Sequence, residues 1–352
     1  MFPIEALLRD AVQAQVSDIY IVAGLPASFR KNGQIVRADD RRLMPEETQA
    51  CLEEVYRLAQ DRDMAPLLTT GDDDFSFSIK GLSRFRVSAF KQRGSLSAVI
   101  RVIRFRLPDY RELRIPDSVM DLANTRQGMV LVVGSAGSGK STTLACVIDR
   151  INHSRQAHII TLEDPIEHLH RHDQSIVTQR EIGPDTVSYV KALRAALRQS
   201  PDIILLGEMR DFETIEVAMT AAETGHLIFS TLHTIGAANT IERIIDVFPA
   251  NQQRQIAVQL ASVLTAVVSQ QLVPTVDGGQ VPAFEIMHVT PAVRTMIREN
   301  KLHQLDALIY GTGRSDTLSM DQSLLQLYKA GTITRETALA YAINPDQLSK
   351  KL

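Results

Sequence analysis

The sequence contains no tryptophan and only two cysteines, Cys51 and Cys146, in 352 residues. Two thiols cannot build a four-cysteine zinc module or a disulfide framework, so the reading is a reducing compartment and a fold held by packing. Aromatic residues make up 5% of the chain against 44% hydrophobic residues overall, which predicts an interior of Leu, Ile, Val and Ala. No apolar run approaches the ~20 residues that a membrane-spanning helix needs. The longest, Ile256 to Val268, is broken by Gln259, Ser262 and Thr265. The basic-then-apolar order of a signal peptide is missing too, since Glu5, Arg9 and Asp10 interrupt the first apolar positions. Nor does one charge dominate: 38 basic and 41 acidic side chains leave a net charge of -3. That balance provides no global positive field and disfavours a sequence-independent nucleic-acid binder. The expectation is a cytoplasmic protein without membrane insertion or nucleic-acid partner.

The length exceeds one typical domain, and the patterning changes once along the chain. Ile4, Leu7, Leu8, Ala11 and Val12 have helical spacing, Asp18 to Val22 reads as a strand, and Asn32-Gly33 is a strong hairpin signal. Pro45 to Ala59 is again helical. Two strands then alternate, Phe85, Val87 and Ala89 in one and Leu96, Ala98, Ile100 and Val102 in the other, leaving Arg84, Arg86 and Arg101 on the polar face. Asp72-Asp73-Asp74 is expected to be a solvated turn. LPDYRELRIP, with two prolines and many charges, reads as a linker. Beyond it apolar strands (129–133, 159–162, 203–206, 227–232) alternate with amphipathic helices (142–151, 189–197, 212–222), the pattern of a parallel α/β sheet. Further helices are expected at Ile241 to Phe248 and Ile256 to Leu272, followed by a helical C-terminal region. The predicted organisation is a small domain over 1–106, a linker over 107–117 and an α/β domain over 118–352.

Gly134-Ser135-Ala136-Gly137-Ser138-Gly139-Lys140-Ser141 is a complete phosphate loop placed between the strand GMVLVV and a helix. Its glycines let successive amides face an anion, the helix start adds partial positive charge, Lys140 can reach the β- and γ-phosphates, and Ser141 can ligate Mg²⁺. Hydrolysis also needs carboxylates at the same sheet end, where ligands of parallel sheets gather. The strand HIITL ends in Glu163-Asp164, and DIILLG ends in Glu208. Either acid alone is equally well a cap or an ion pair. With the phosphate loop beside them, Glu208 becomes the candidate for holding Mg²⁺ through water and Glu163 the candidate for polarising the attacking water. His226 and His233 flank one strand, roughly 23 Å apart at ~3.3 Å per residue, so they cannot share a metal ion. The end-of-strand rule puts His233 on the phosphate side and His226 at the opposite edge. Arg84, Arg86 and Arg101 are candidates for neutralising charge on a γ-phosphate, or else solubilising surface groups.

These residues together resemble the secretion and type IV pilus ATPase superfamily, most closely its retraction branch. The resemblance is carried by GSAGSGKSTT, ITLEDPIEHLH, ILLGEMRD, TGHLIFSTLHT and the N-terminal SDIYIVAGLPASFRKNGQIV, in family order. It implies a PAS-like N-terminal domain, a RecA-like P-loop motor domain and a homohexameric ring in which each small domain packs on a neighbouring motor domain. It also implies that Lys140, Ser141 and Thr142 bind ATP phosphates and Mg²⁺, that Glu163 is the catalytic base, and that Glu208 is linked to Mg²⁺. His226 and His233 match the family's histidine box. Arg86 and Arg101 match its nucleotide-approaching arginines, Arg84 less closely. Ala292 to Glu299 is similar to a motif tied to retraction but departs from it at Val293, Thr295 and Met296, and Tyr20 stands where the family commonly has His. The implied function is a cytoplasmic hexameric ATPase beside the inner membrane that removes pilin subunits through a membrane platform protein. The alternatives are an accessory pilus or secretion ATPase of the same fold, a nucleotide-gated ring without turnover, and a DNA-handling RecA-like motor, which the net charge disfavours.

Overall fold

Alternation of apolar and polar residues organises the first of the two units into which the chain divides, Met1–Arg106 and Leu107–Leu352. The computed structural model describes residues 3–31, 33–103, 107–311 and 317–352. Unit one runs α1 (Ile4–Gln13), β1 (Asp18–Ile21), β2 (Pro26–Lys31), β3 (Gln34–Arg42), α2 (Pro45–Leu58), α3 (Ala65–Thr70), β4 (Asp72–Ile79), β5 (Ser83–Gln92) and β6 (Ser95–Ile103). Its six strands form an antiparallel sheet in the order β3-β2-β1-β6-β5-β4. Leu8, Leu52, Val55 and Tyr56 of the helices share one core with Ile19, Phe85, Val87 and Ile100 of the strands, because period-two alternation sends those strand residues to one face. Asn32, in the expected hairpin turn between β2 and β3, lies outside the described residues.

The polar face carries a row of ladder partners: Arg30 opposite Asp18, Asp18 opposite Arg101, and Arg101 opposite Arg86. Arg101 and Arg86 are like charges directly across a strand pair, which is unfavourable unless compensated. Asp18 compensates, lying 2.9 Å from Arg101 Nε and 3.8 Å from Arg30 Nε. Arg30 Nε also donates to the Tyr20 hydroxyl at 2.7 Å. The acidic triplet differs from its expectation. Asp72 opens β4, and Asp73 is buried, accepting two bonds from Arg62 at 2.8 and 3.0 Å and one from the Tyr56 hydroxyl at 2.9 Å. A run of three carboxylates conceals which one has a cation waiting to make burial tolerable.

Unit two runs α4 (Asp117–Met120), β7 (Gly128–Val133), α5 (Lys140–Ser154), β8 (His158–Glu163), β9 (Ile176–Glu181), α6 (Tyr189–Ala196), β10 (Ile203–Leu206), α7 (Phe212–Glu223), β11 (Leu227–Leu232), α8 (Ala237–Asp246), α9 (Gln253–Val263), β12 (Leu264–Pro274), β13 (Gln280–His288), α10 (Pro291–Arg298), α11 (Leu305–Gly311), α12 (Met320–Lys329), α13 (Arg335–Ala340) and α14 (Pro345–Ser349). The strand order is β13-β12-β7-β11-β10-β8-β9, parallel except for the β12–β13 pair. Strands β7, β10 and β11 are buried at every position, as strands with helices on both faces must be. Leu131, Leu162 and Leu206 pack against α6 to α9, while Val130, Ile159 and Phe229 pack against α5 and residues 115–123. This mixed arrangement is the RecA-like architecture expected of the motor unit.

Two stretches of unit two depart from expectation. The supposed linker belongs to this unit, where Ile115 is buried and Tyr110 and Leu113 pack on the core. The helix expected over Ile256 to Leu272 ends at Val263, and Leu264–Pro274 is instead a strand pairing with β7 and β13. A buried strand and a buried helix flank give the same apolar run, so periodicity could not find the break. Arg294 of α10 marks the helix end, donating to the Ala261 carbonyl and, at 2.7 Å, to that of Ser262. The C-terminal region is therefore a β-hairpin followed by helices.

Candidate functional site

β7 delivers the phosphate loop to the carboxyl edge of the sheet. Gly134 has φ 149°, and a Cβ there would lie 2.2 Å from the Gln270 carbonyl oxygen of β12; at Gly139, φ 88°, it would lie 2.9 Å from the Gln270 side-chain nitrogen. Glycine is required at 134 because the loop is pressed against the β12 backbone, and favoured at 139 by its left-handed φ. Gln270 also accepts a bond from Thr143 Oγ1 at 2.8 Å, joining strand, loop and α5. Helix α5 opens without a side-chain cap, so its first-turn amides face an anion site rather than a neighbouring residue. Lys140, 7% exposed, donates from Nζ to the Gly134 and Ser135 carbonyls at 2.8 and 2.9 Å, which suspends its ammonium over the loop. Burial lowers its pKa, while Glu167 and Glu208 act in the opposite direction.

The neighbouring strand ends bring the acids into the same cleft. Glu163 ends β8 and accepts from Thr161 Oγ1 at 2.6 Å and Gln179 Nε2 at 3.3 Å. Desolvation pushes its pKa from the ordinary 4.5 up to about 7, opposed by these hydrogen bonds, so it is poised to exchange a proton near neutrality. Gly207 follows β10 because a Cβ would meet the Tyr189 hydroxyl at 2.8 Å and the Leu162 carbonyl at 3.2 Å. That crowding moves the acid one position on, to Glu208. Glu208 is 8% exposed, 2.7 Å from Arg210 Nη2 and 3.3 Å from His233 Nε2. Its backbone is pinned on both sides, by Thr231 Oγ1 donating to the Gly207 carbonyl at 2.7 Å and by the Met209 amide donating to that of Thr231 at 3.1 Å. His168, whose Nε2 is 3.2 Å from Thr142 Oγ1, and His170 complete the wall. Burial lowers both histidines' pKa values, His170 to about 4, so His170 is neutral at pH 7.

One cleft therefore gathers the phosphate loop, Glu163, Glu208 and His233. His226 is held elsewhere, at the amino end of β11, where its Nδ1 contacts the Ala221 carbonyl at 2.9 Å and its carbonyl accepts from the Gly128 amide. Arg86 and Arg101 belong to the sheet of unit one. A second cavity of about 490 Å³ opens on the far side of the loop, walled by Glu112, Arg114, Thr142, Thr143, Gln270 and Val281. Sequence reading did not single out Gln179, Tyr189, Gln270 or Asp18. Only Tyr189 had an indirect signal, the glycine at 207 where an acid is usual.

The donor set fits a nucleoside triphosphate with Mg²⁺. Gly134, Gly137 and Gly139 all hold positive φ, the backbone that turns successive amides toward an anion, and a hydroxyl plus a water-mediated carboxylate is the sparse protein contribution that Mg²⁺ accepts.

Residues 2–281 match the family described as type II/IV secretion system protein. The chain is 42% identical to the type IV pilus retraction ATPase PilT of Pseudomonas aeruginosa, across 97% of this chain and 99% of that protein. It is also 42% identical to the type IV pilus ATPase PilU of that organism, across 98% and 90%. The crystal structure of the pilus retraction motor PilT with bound ADP superposes with a TM-score of 0.90 at 44% identity, covering 99% of each chain.

Proposed function

Because this chain belongs to the type II/IV secretion system protein family, we propose that it is an ATP-hydrolysing motor that powers type IV pilus retraction. The observation that carries the reading is the cleft itself: a phosphate loop alone would serve a binding module, whereas Glu163 and Glu208 at adjacent strand ends equip it for hydrolysis. The loop amides and Lys140 hold the β- and γ-phosphates. Ser141 and, through water, Glu208 would hold Mg²⁺, which when bound withdraws charge from the phosphate oxygens. Glu163 accepts the proton of the attacking water as its oxygen bonds to the γ-phosphorus and the bond to ADP breaks. His233, against Glu208, orients that carboxylate. The cavity beside Thr142 and Thr143 receives the nucleoside, since it opens at the start of α5 and none of Glu163, Glu208 and His233 lines it.

In this proposal the chain works as a homohexameric ring in the cytoplasm, docked on an inner-membrane platform protein and acting on pilin only through it. Arg86 and Arg101 of the small domain act on the nucleotide of a neighbouring subunit, and Asp18 orients Arg101 through the 2.9 Å bond to its Nε. Arg101→Ala is expected to lower kcat by roughly 10³-fold, the weak end of what an arginine acting on the transition state contributes, while affinity for a non-hydrolysable ATP analogue stays within twofold. Equal loss of both would assign Arg101 to ground-state binding.

The second reading is an accessory pilus or secretion ATPase of the same fold, since the chain is as similar to the type IV pilus ATPase PilU as to PilT. Deleting and restoring the gene while following labelled pili decides between them. Abundant pili that no longer shorten identify the principal motor, unchanged pili an accessory or secretion ATPase of the same fold, and absence of pili an assembly role that overturns both.

A further inference from the structure

Strand β9 contributes to the site through one side chain. Gln179 is the ladder partner of Thr161, and Thr161 and Glu163, two apart on β8, share a face. Gln179 therefore projects onto the side of the sheet where the Glu163 carboxylate lies. Its Nε2 donates to Glu163 Oε1 at 3.3 Å and to the His168 carbonyl at 2.9 Å, and its Oε1 accepts from the His170 amide at 2.8 Å. Backbone groups determine which end of the amide faces the acid: a carbonyl at 168 can meet only the NH₂ end, and an N–H at 170 only the oxygen. The donor end is consequently locked toward Glu163. The same segment returns to the phosphate loop, because His168 Nε2 sits 3.2 Å from Thr142 Oγ1.

We infer that Gln179 is a positioning residue for hydrolysis, a fork that aims the Glu163 carboxylate and ties it to the 168–170 segment. With Thr161 it places two donors on one carboxylate oxygen, which restricts rotation of the group that must meet the attacking water. Gln179 bonds to Glu163 and to the backbone at 168 and 170, and to neither the phosphate loop nor Glu208, so its loss acts on kcat and spares binding. This inference rests on the proposed role of Glu163 as base.

The experiment uses the full chain, comparing kcat and KM for Mg-ATP with the Kd of a non-hydrolysable ATP analogue. Gln179→Ala is expected to lower kcat tenfold or more with Kd within twofold of the parent. Gln179→Glu retains an acceptor for the His170 amide but presents no donor to Glu163, and is expected to lose at least as much. Activity within twofold of the parent in Gln179→Ala, a Kd that weakens in step with kcat, or full activity in Gln179→Glu would overturn the inference. Thermal melting checks folding, and where Gln179→Ala does not fold, Gln179→Glu alone decides. Glu163→Gln is measured alongside: wild-type turnover in that variant overturns the base assignment itself, whereas an inactive Glu163→Gln beside a normal Gln179→Ala overturns only the role of Gln179.

Discussion

Lys140→Ala is expected to abolish ATP turnover and to weaken nucleotide binding by roughly 100-fold, with little effect on folding. The ammonium is almost fully buried and held by the Gly134 and Ser135 carbonyls, so it has already lost its water and meets a phosphate without further ordering. Each hydrogen bond between charged partners contributes about 1.5 to 3 kcal/mol, and one such loss of ~2.7 kcal/mol corresponds to the hundredfold. Turnover falls further because the same ammonium faces charge on the transferred phosphoryl group. The fold is spared because alanine is the best helix former and residue 140 is the first of α5. Titration with a fluorescent ATP analogue, phosphate release and a melting curve check the three parts. Turnover at the parent rate would remove the phosphate loop from the chemistry, and a collapsed melting transition would make Lys140 a structural group.

The contrast between what was readable and what was not follows from sequence distance. The phosphate loop occupies consecutive residues whose spacing its ligand dictates, so it can be read without knowing the fold. Glu163, Glu208 and His233 were readable one step later, because each ends an apolar run and parallel strands place those ends together. Gln270 and Gln179 belong to strands that neighbour β7 and β8 only through the sheet order β12-β7 and β8-β9. Nothing local distinguishes them from surface glutamines. Asp18 and Asp73 escaped for the same reason, their cations being Arg101 across a ladder and Arg62 eleven residues earlier. The junction between α9 and β12 was lost because the helical and strand patterns share apolar residues and no glycine or proline punctuates Val263-Leu264.

Glu163→Gln should produce an inactive protein that is more stable than its parent, and the pair of effects identifies the group more sharply than inactivity alone. As a base Glu163 must be ionised, and with its pKa pushed up to about 7 by desolvation the parent's kcat/KM should fall by about tenfold per pH unit below neutrality. The variant should lose about 100-fold or more in turnover, the usual range for removing a general base. For stability the sign runs the other way. Between the unfolded value of 4.5 and the folded value of about 7 the native chain retains a proton that the unfolded chain has released, so stability declines as pH rises through that window. Above it the native state carries the full burden of a desolvated carboxylate, on the order of 2 to 3 kcal/mol. Glutamine keeps the shape without that charge and should raise the apparent melting temperature of the nucleotide-free protein by roughly 3 to 6 °C at pH 8. The gain should shrink toward pH 5, where Glu163 is already protonated. A flat rate profile from pH 5.5 to 8, or a variant less stable than the parent at pH 8, would mean that the carboxylate is held ionised by its neighbours. The desolvation that makes it a base at neutral pH would then be absent, and another group would have to take the proton.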